Sequence, residues 1–220
     1  MGIFSALKQK IRKIVLGYRA SSGDYITYLR EKGAKIGNDV QIFSPNRTTI
    51  DATTPYMLTI GNNVLMTGPV TIMTHDYSTH IVNVMNNSLL ATIRPVTIGN
   101  NVFLGWGCTI LSGSTIGDNT VIGAGAVVSG RLEANSVYVG NPAKRIMSIE
   151  EYYEKVKTRQ LKDAVQLYKS LSDTHHRIPT EKEMWSYRNV FRNDINTAGT
   201  PTHIFDTYDD FVNYAQEERI

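Results

Sequence analysis

From residue 98 the chain sets an aliphatic side chain at every sixth position: Ile98, Leu104, Ile110, Ile116, Ile122 and Val128. Glycine follows at Gly99, Gly105, Gly117 and Gly123, and the fourth position after each aliphatic is small or apolar: Val102, Cys108, Ser114, Thr120, Ala126 and Leu132. The same phase shows earlier at Ile60, Met66 and Ile72, with Val64 and Val70 in the second slot, and more faintly at Ile36 and Ile42 with Val40. A period of six matches neither a helical turn nor an unbroken strand, because two or three pleats must be followed each time by a corner. Three such faces close one coil, and coils stacked roughly 4.8 Å apart bury the aliphatic ladder continuously. Gly61-Asn62, Gly99-Asn100 and Gly117-Asp118 suit the corners, where special backbone angles are needed. An antiparallel barrel is the alternative, but hairpins do not hold register over six hexads. Spacing alone leaves the hand of the coil open.

Helical spacing takes over at both ends. Phe4, Leu7, Ile11, Ile14, Val15 and Tyr18 recur at helical intervals among Lys8, Lys10, Arg12, Lys13 and Arg19, a basic amphipathic helix suited to pack on its own protein or to meet an anionic membrane surface. After Arg145 the hexads stop. Ile149, Tyr152, Tyr153, Val156, Val165, Tyr168 and Leu171 are spread as on a helix, and Thr180 with Glu183 and Thr207 with Asp210 form helix-start boxes ahead of two shorter segments. These helices are expected to pack on the coil exterior or on a neighbouring subunit.

Composition narrows the picture. With 220 residues, 41% hydrophobic, the chain supports one sizeable core and an appendage. A net charge of +3 without a clustered basic stripe in the middle of the chain argues against nucleic-acid binding. Cys108, the single cysteine, has no disulfide partner, and no apolar run approaches the roughly 20 residues that span a bilayer. A soluble, cytoplasmic protein is expected, with contact at the inner face of the membrane reserved for the N-terminal helix.

The aliphatic-glycine-x-x-small pattern, closed by Gly140-Asn141-Pro142-Ala143-Lys144, resembles the hexapeptide acyltransferase superfamily over residues 34 to 148. The resemblance implies a left-handed parallel β-helix, acetyl-CoA as co-substrate, and usually a homotrimer with active sites between subunits. The expected fold is mainly β: a helical segment at 1–33, the β-helix at 34–148 with an excursion loop at 76–95, and a helical annex at 149–220.

The repeat breaks between Ile72 and Ile98. From Ile72 to Ile98 the spacing is four hexads plus two residues, so a loop leaves the coil there, and long excursions from regular scaffolds commonly carry function. His75 stands at its base and should point outward. In the resembling acetyltransferases a histidine here is the general base, and an imidazole suits removal of a hydroxyl proton at neutral pH. Asp76 and Asp51 are candidates to orient that ring. Tyr77, His80 and Asn46, the last in the irregular stretch from Asn46 to Pro55, are candidates to touch the acceptor. A three-histidine metal site is not expected, since His175, His176 and His203 all lie in the annex and leave the coils short of a third ligand.

With eighteen residues per coil, Trp106, Ala124 and Pro142 should stack in a vertical line, leaving a shallow track beside Gly105 for a thin ligand. By resemblance the cofactor arm runs here, touching Trp106, Ala124 and Ser129, with Lys144 on the nucleotide phosphate. The chain departs from the family at Phe103, where tryptophan is common, at Trp106 and at Met147, where a second basic residue is expected and adjacent Arg145 is the substitute. Cys108 faces inward, which disfavours a covalent acyl-enzyme. The expected activity is O-acetylation of a sugar or polysaccharide precursor. Its rivals are N-acetylation of an amino-sugar nucleotide and a non-catalytic assembly or binding module.

Overall fold

A computed structural model describes residues 3–191 and 204–218, with side chains from residue 10 onward. His203 lies outside the described residues. The chain divides into two units, Met1–Tyr152 and Tyr153–Ile220.

The hexads become three parallel sheets. One runs through Lys35–Ile36, Leu58–Ile60, Val96–Ile98, Thr115–Ile116 and Arg131–Leu132; a second through Gln41–Ile42, Val64–Met66, Val102–Leu104, Thr120–Ile122 and Ser136–Val139; a third through Thr49–Ile50, Thr71–Ile72, Thr109–Ile110 and Val127–Val128. Ile98 pairs beside Ile116, Leu104 beside Ile122, and Ile110 beside Val128. All six ladder residues are buried, as are Val102, Cys108, Ser114, Thr120 and Ala126 in the second slot, because strand alternation sends both positions of each hexad inward. This is a parallel β-helix.

One corner is held by a polar ladder that the hydrophobic pattern did not expose. Asn63, Asn101, Asn119 and Asn135 all have φ between 53° and 55°, the left-handed region that asparagine tolerates better than most residues. Their side chains bond in series: Asn63 Nδ2 donates to Asn101 Oδ1 at 3.0 Å, Asn101 to Asn119 at 2.8 Å, and Asn119 to Asn135 at 2.7 Å.

The last coil is shorter than eighteen residues. Only Ser129 and Gly130 link the strands at Val127–Val128 and Arg131–Leu132, where the coil before uses 111–114. Leu132 therefore stands under Ile116 in the aliphatic ladder, one slot away from its expected place, and Tyr138 stands beside Ile122. The chain reaches the next corner two residues early. Trp106 and Ala124 do stack, with the Gly125 amide donating to the Trp106 carbonyl at 2.8 Å, but Pro142 does not continue their line. Lys144–Ser148 then folds back as an antiparallel strand on Ser136–Val139, an element the hexad pattern did not predict.

Helix α1, Ile3–Leu16, leads through a short 3₁₀ turn to helix α2, Ser22–Glu31, whose Ser21 cap accepts from the Asp24 amide at 3.1 Å. Tyr25, Ile26 and Leu29 of α2 join the coil core, and the Ile50 amide donates to the Tyr25 hydroxyl at 3.0 Å. An open coil end exposes apolar ladder and unpaired backbone, and α2 covers both.

The excursion is more ordered than a loop. His75–Asp76 pairs antiparallel with Thr92–Ile93, and helix α3, Thr79–Asn86, lies between them. Helix α4, Ile149–His175, opens the annex, which continues through a 3₁₀ segment at Trp185–Val190 to helix α5, Tyr208–Glu217. The Thr207–Asp210 capping box forms as the sequence indicates. The annex closes a core of its own around Tyr168, Met184, Phe191 and Phe211. Among the described residues no helix is long and apolar enough to cross a membrane.

Candidate active site

Asp51 closes the third-sheet strand Thr49–Ile50, and its amide donates to the Ile72 carbonyl at 2.9 Å, so coil register fixes where its carboxylate sits. The chain climbs one coil and places Thr74 and His75 directly above. Oδ2 of Asp51 accepts from the Thr74 hydroxyl at 2.5 Å, from the Thr74 amide at 3.2 Å, and from His75 Nδ1. Oδ1 accepts from the Thr53 amide at 2.9 Å and the Thr53 hydroxyl at 2.6 Å. Burial works against the charged form of Asp51, but the bonds from Thr53, Thr74 and His75 outweigh it and hold the carboxyl well below the usual carboxylate range. A carboxylate offers only lone pairs, so the Nδ1 facing it carries the proton. That leaves Nε2 with a free lone pair, the tautomer of a general base.

The ribbon at the foot of the excursion clamps the His75 backbone through its pairing with Ile93, and the Tyr77 ring leans on the imidazole with centroids 4.4 Å apart. His75 thus separates two cavities. One, about 550 Å³, lies between Thr53–Thr54 and the excursion, with Tyr77, His80, Asn83 and Thr92 on its walls. The other, about 320 Å³, runs along the coil past Met73, Leu111, Ser112 and Ser129, with Arg94 at its side. The stem of Arg94 lies across Gly113, where a Cβ would stand 3.1 Å from Arg94 Cδ.

Several expected site residues fall elsewhere. Asp76 lines both cavities, yet its Oδ1 accepts from the Ser78 amide at 2.8 Å and makes no bond to the imidazole, because adjacent residues of a strand point to opposite faces. Asn46 is exposed in the turn after Ile42 and lines neither cavity. Gly105 is sealed by packing: a Cβ there would lie 2.6 Å from the Ala124 amide nitrogen. Trp106 is half exposed under the Arg47 guanidinium, 5.0 Å from its ring, and with Ala124 it occupies the corner between the second and third sheets. Ser129 and His75 belong to the next corner. Lys144 is exposed on the antiparallel strand, where Arg145 Nε donates to Ser136 Oγ at 2.9 Å. Thr53, Thr54 and Thr74 escaped the sequence reading; their only sign was a group of threonines off the hexad rhythm.

Parallel coils of hexads with a histidine-carboxylate pair at the foot of an excursion define a hexapeptide-repeat transferase. Residues 95–130 match the family described as bacterial transferase hexapeptide (six repeats). The chain is 41% identical over 128 residues to Protein CapG of Staphylococcus aureus, covering 58% of this chain and 73% of that one. It is 39% identical over 106 residues to the galactoside O-acetyltransferase of Escherichia coli, covering 48% and 50%, so it spans about half the length of that relative. Among solved structures, a maltose O-acetyltransferase from Clostridium difficile aligns at 26% identity with a TM-score of 0.46, over 67% of this chain and 89% of that one. The chain belongs to the hexapeptide-repeat acyltransferase family, whose fold is the left-handed parallel β-helix.

Proposed function

We propose that the chain transfers an acetyl group from acetyl-CoA to a hydroxyl of a sugar or polysaccharide precursor, with His75 as general base and Asp51 as the group that orients it. The observation that carries this reading is the imidazole held by Asp51 between two cavities. His75 Nε2 takes the proton as the acceptor oxygen attacks the thioester carbonyl, and the resulting imidazolium returns it to the departing thiolate. The Asp51 carboxylate stabilises that imidazolium. The wider cavity, with its hydroxyl and amide side chains, suits a sugar. The narrower one, floored by Met73 and Leu111 and edged by Ser112 and Ser129, suits a thin arm alternating methylenes and amides. Transfer is direct, since Cys108 is buried and its thiol is pushed up to about 12 by burial.

The Trp106–Ala124 corner and the His75 corner are different edges of one prism. Two copies of the chain that set one corner against the other would share a donor site between them, the arrangement of the trimer that the family resemblance implies. The name of one relative, the galactoside O-acetyltransferase, favours a sugar hydroxyl over an amine. The test is thiol release from acetyl-CoA with galactosides, maltose and amino sugars as acceptors, with products read by mass spectrometry. O-acetylated sugar from the native protein and a loss of about 10²–10⁴-fold in His75→Ala are expected. Undiminished turnover in His75→Ala would remove the mechanism, and product on the amine alone would replace the acceptor class.

A further inference from the structure

Over its described side chains, from residue 10 onward, helix α1 turns an apolar stripe to solvent. Ile11, Ile14 and Val15 are 53%, 78% and 73% exposed, and their spacing of three and four residues puts them on one stripe. Lys10 and Arg12 lie about 100° to either side of that stripe, and neither has an ion pair among the described residues. The opposite side of the helix carries Lys13, whose Nζ bonds Asp24 of α2 at 2.7 Å. Its back is tied to the capped coil, and its apolar stripe points away.

We infer that α1 is a docking surface for an anionic lipid bilayer. Apolar side chains at the centre of a stripe enter the acyl boundary, and flanking long cations reach the phosphates while their stems stay in the apolar layer. Charge selects this occupant over a second copy of the chain. Residues 1–19 hold no acidic residue and Lys10 and Arg12 flank the stripe without an ion pair among the described residues, so two such faces meeting would oppose like charges, whereas an anionic leaflet attracts both flanking cations. The surface is independent of the acetyl-transfer reading, since none of the described side chains of α1 lines the His75 cavities. Its effect would be to hold the enzyme where membrane-borne acceptors are concentrated.

Full-length protein is sedimented with vesicles of phosphatidylcholine alone and of phosphatidylcholine containing about a third phosphatidylglycerol. Binding to the anionic vesicles only is expected, with release at high salt as the Debye length shrinks to about 3 Å at 1 M. The variant I14E/V15E should bind at least about tenfold more weakly, and K10E/R12E should lose the preference for anionic lipid. Both changes lie on exposed positions, so circular dichroism and thiol release should match the native protein. Failure of the native chain to bind anionic vesicles, or native-like binding by I14E/V15E, overturns the inference. So does a concentration-dependent self-association that I14E/V15E abolishes, since the stripe would then face a second copy.

Discussion

The most demanding consequence of the site concerns Asp51→Asn. Five donors converge on the two Asp51 oxygens: the amides and hydroxyls of Thr53 and Thr74, and His75 Nδ1. An asparagine of the same shape replaces one acceptor oxygen with an NH₂, so at least one native donor meets another donor whichever way the amide is turned. If the oxygen stays toward Thr53, the NH₂ meets His75, which must then present Nδ1 as acceptor and move its proton to Nε2. The base is lost in that tautomer. If the oxygen turns toward His75, Thr53 loses its partner and the imidazolium loses its counter-charge. Either arrangement reaches into the whole of general-base catalysis, about 10²–10⁴-fold in kcat, or ~2.7–5.5 kcal/mol of barrier. The unpaired buried groups also cost about 1–3 kcal/mol of folding stability. The assay is thiol release at saturating acetyl-CoA, separating kcat from KM, beside urea melts of the same samples. The loss should lie in kcat, and Asp51→Asn combined with His75→Ala should be little worse than His75→Ala alone, because both act on one proton. A variant that keeps kcat within twofold while folded, or losses that multiply in the double variant, would refute the reasoning.

Three further outcomes follow from the same contacts. Because the native Asp51 carboxyl lies below its unfolded value, its stabilisation is full above about pH 5 and fades as pH falls through that unfolded value, near 3.9, toward the folded one; urea melts across pH should show the margin of native protein over Asp51→Asn shrinking in that window. Gly105→Ala puts a Cβ 2.6 Å from the Ala124 nitrogen and 2.7 Å from the Gly123 carbon and Ile122 oxygen, all backbone, so a loss of about 1–3 kcal/mol is expected from melts, and an unchanged midpoint would show that coils spread freely. Cys108→Ala should keep thiol release within about threefold, and the native thiol should react slowly with a disulfide reagent until the protein is denatured; an acetylated Cys108 trapped by rapid quench would restore the acyl-enzyme route.

The hexads determined the coil on their own terms. A strand pair needs only alternation and a corner, both local properties, so Ile98 through Val128 and the second-slot residues could be placed inward before any contact was known. The break at Ile72 likewise marked the excursion and put His75 at its foot. Tertiary structure decided what depends on register between coils. Asp51 and Asp76 are equally acidic in sequence, but only a residue one coil below can bring a carboxylate under the imidazole, and no spacing rule distinguishes the two. The line from Trp106 to Pro142 failed for the same reason: a stack inherits every length change beneath it, and the two residues missing between Val128 and Arg131 displaced the final coil. Whether the threonines at 53, 54 and 74 were surface or site could be known only once the coils closed over one another, because a hydroxyl's role is set by the acceptor it meets and not by its own position in the chain.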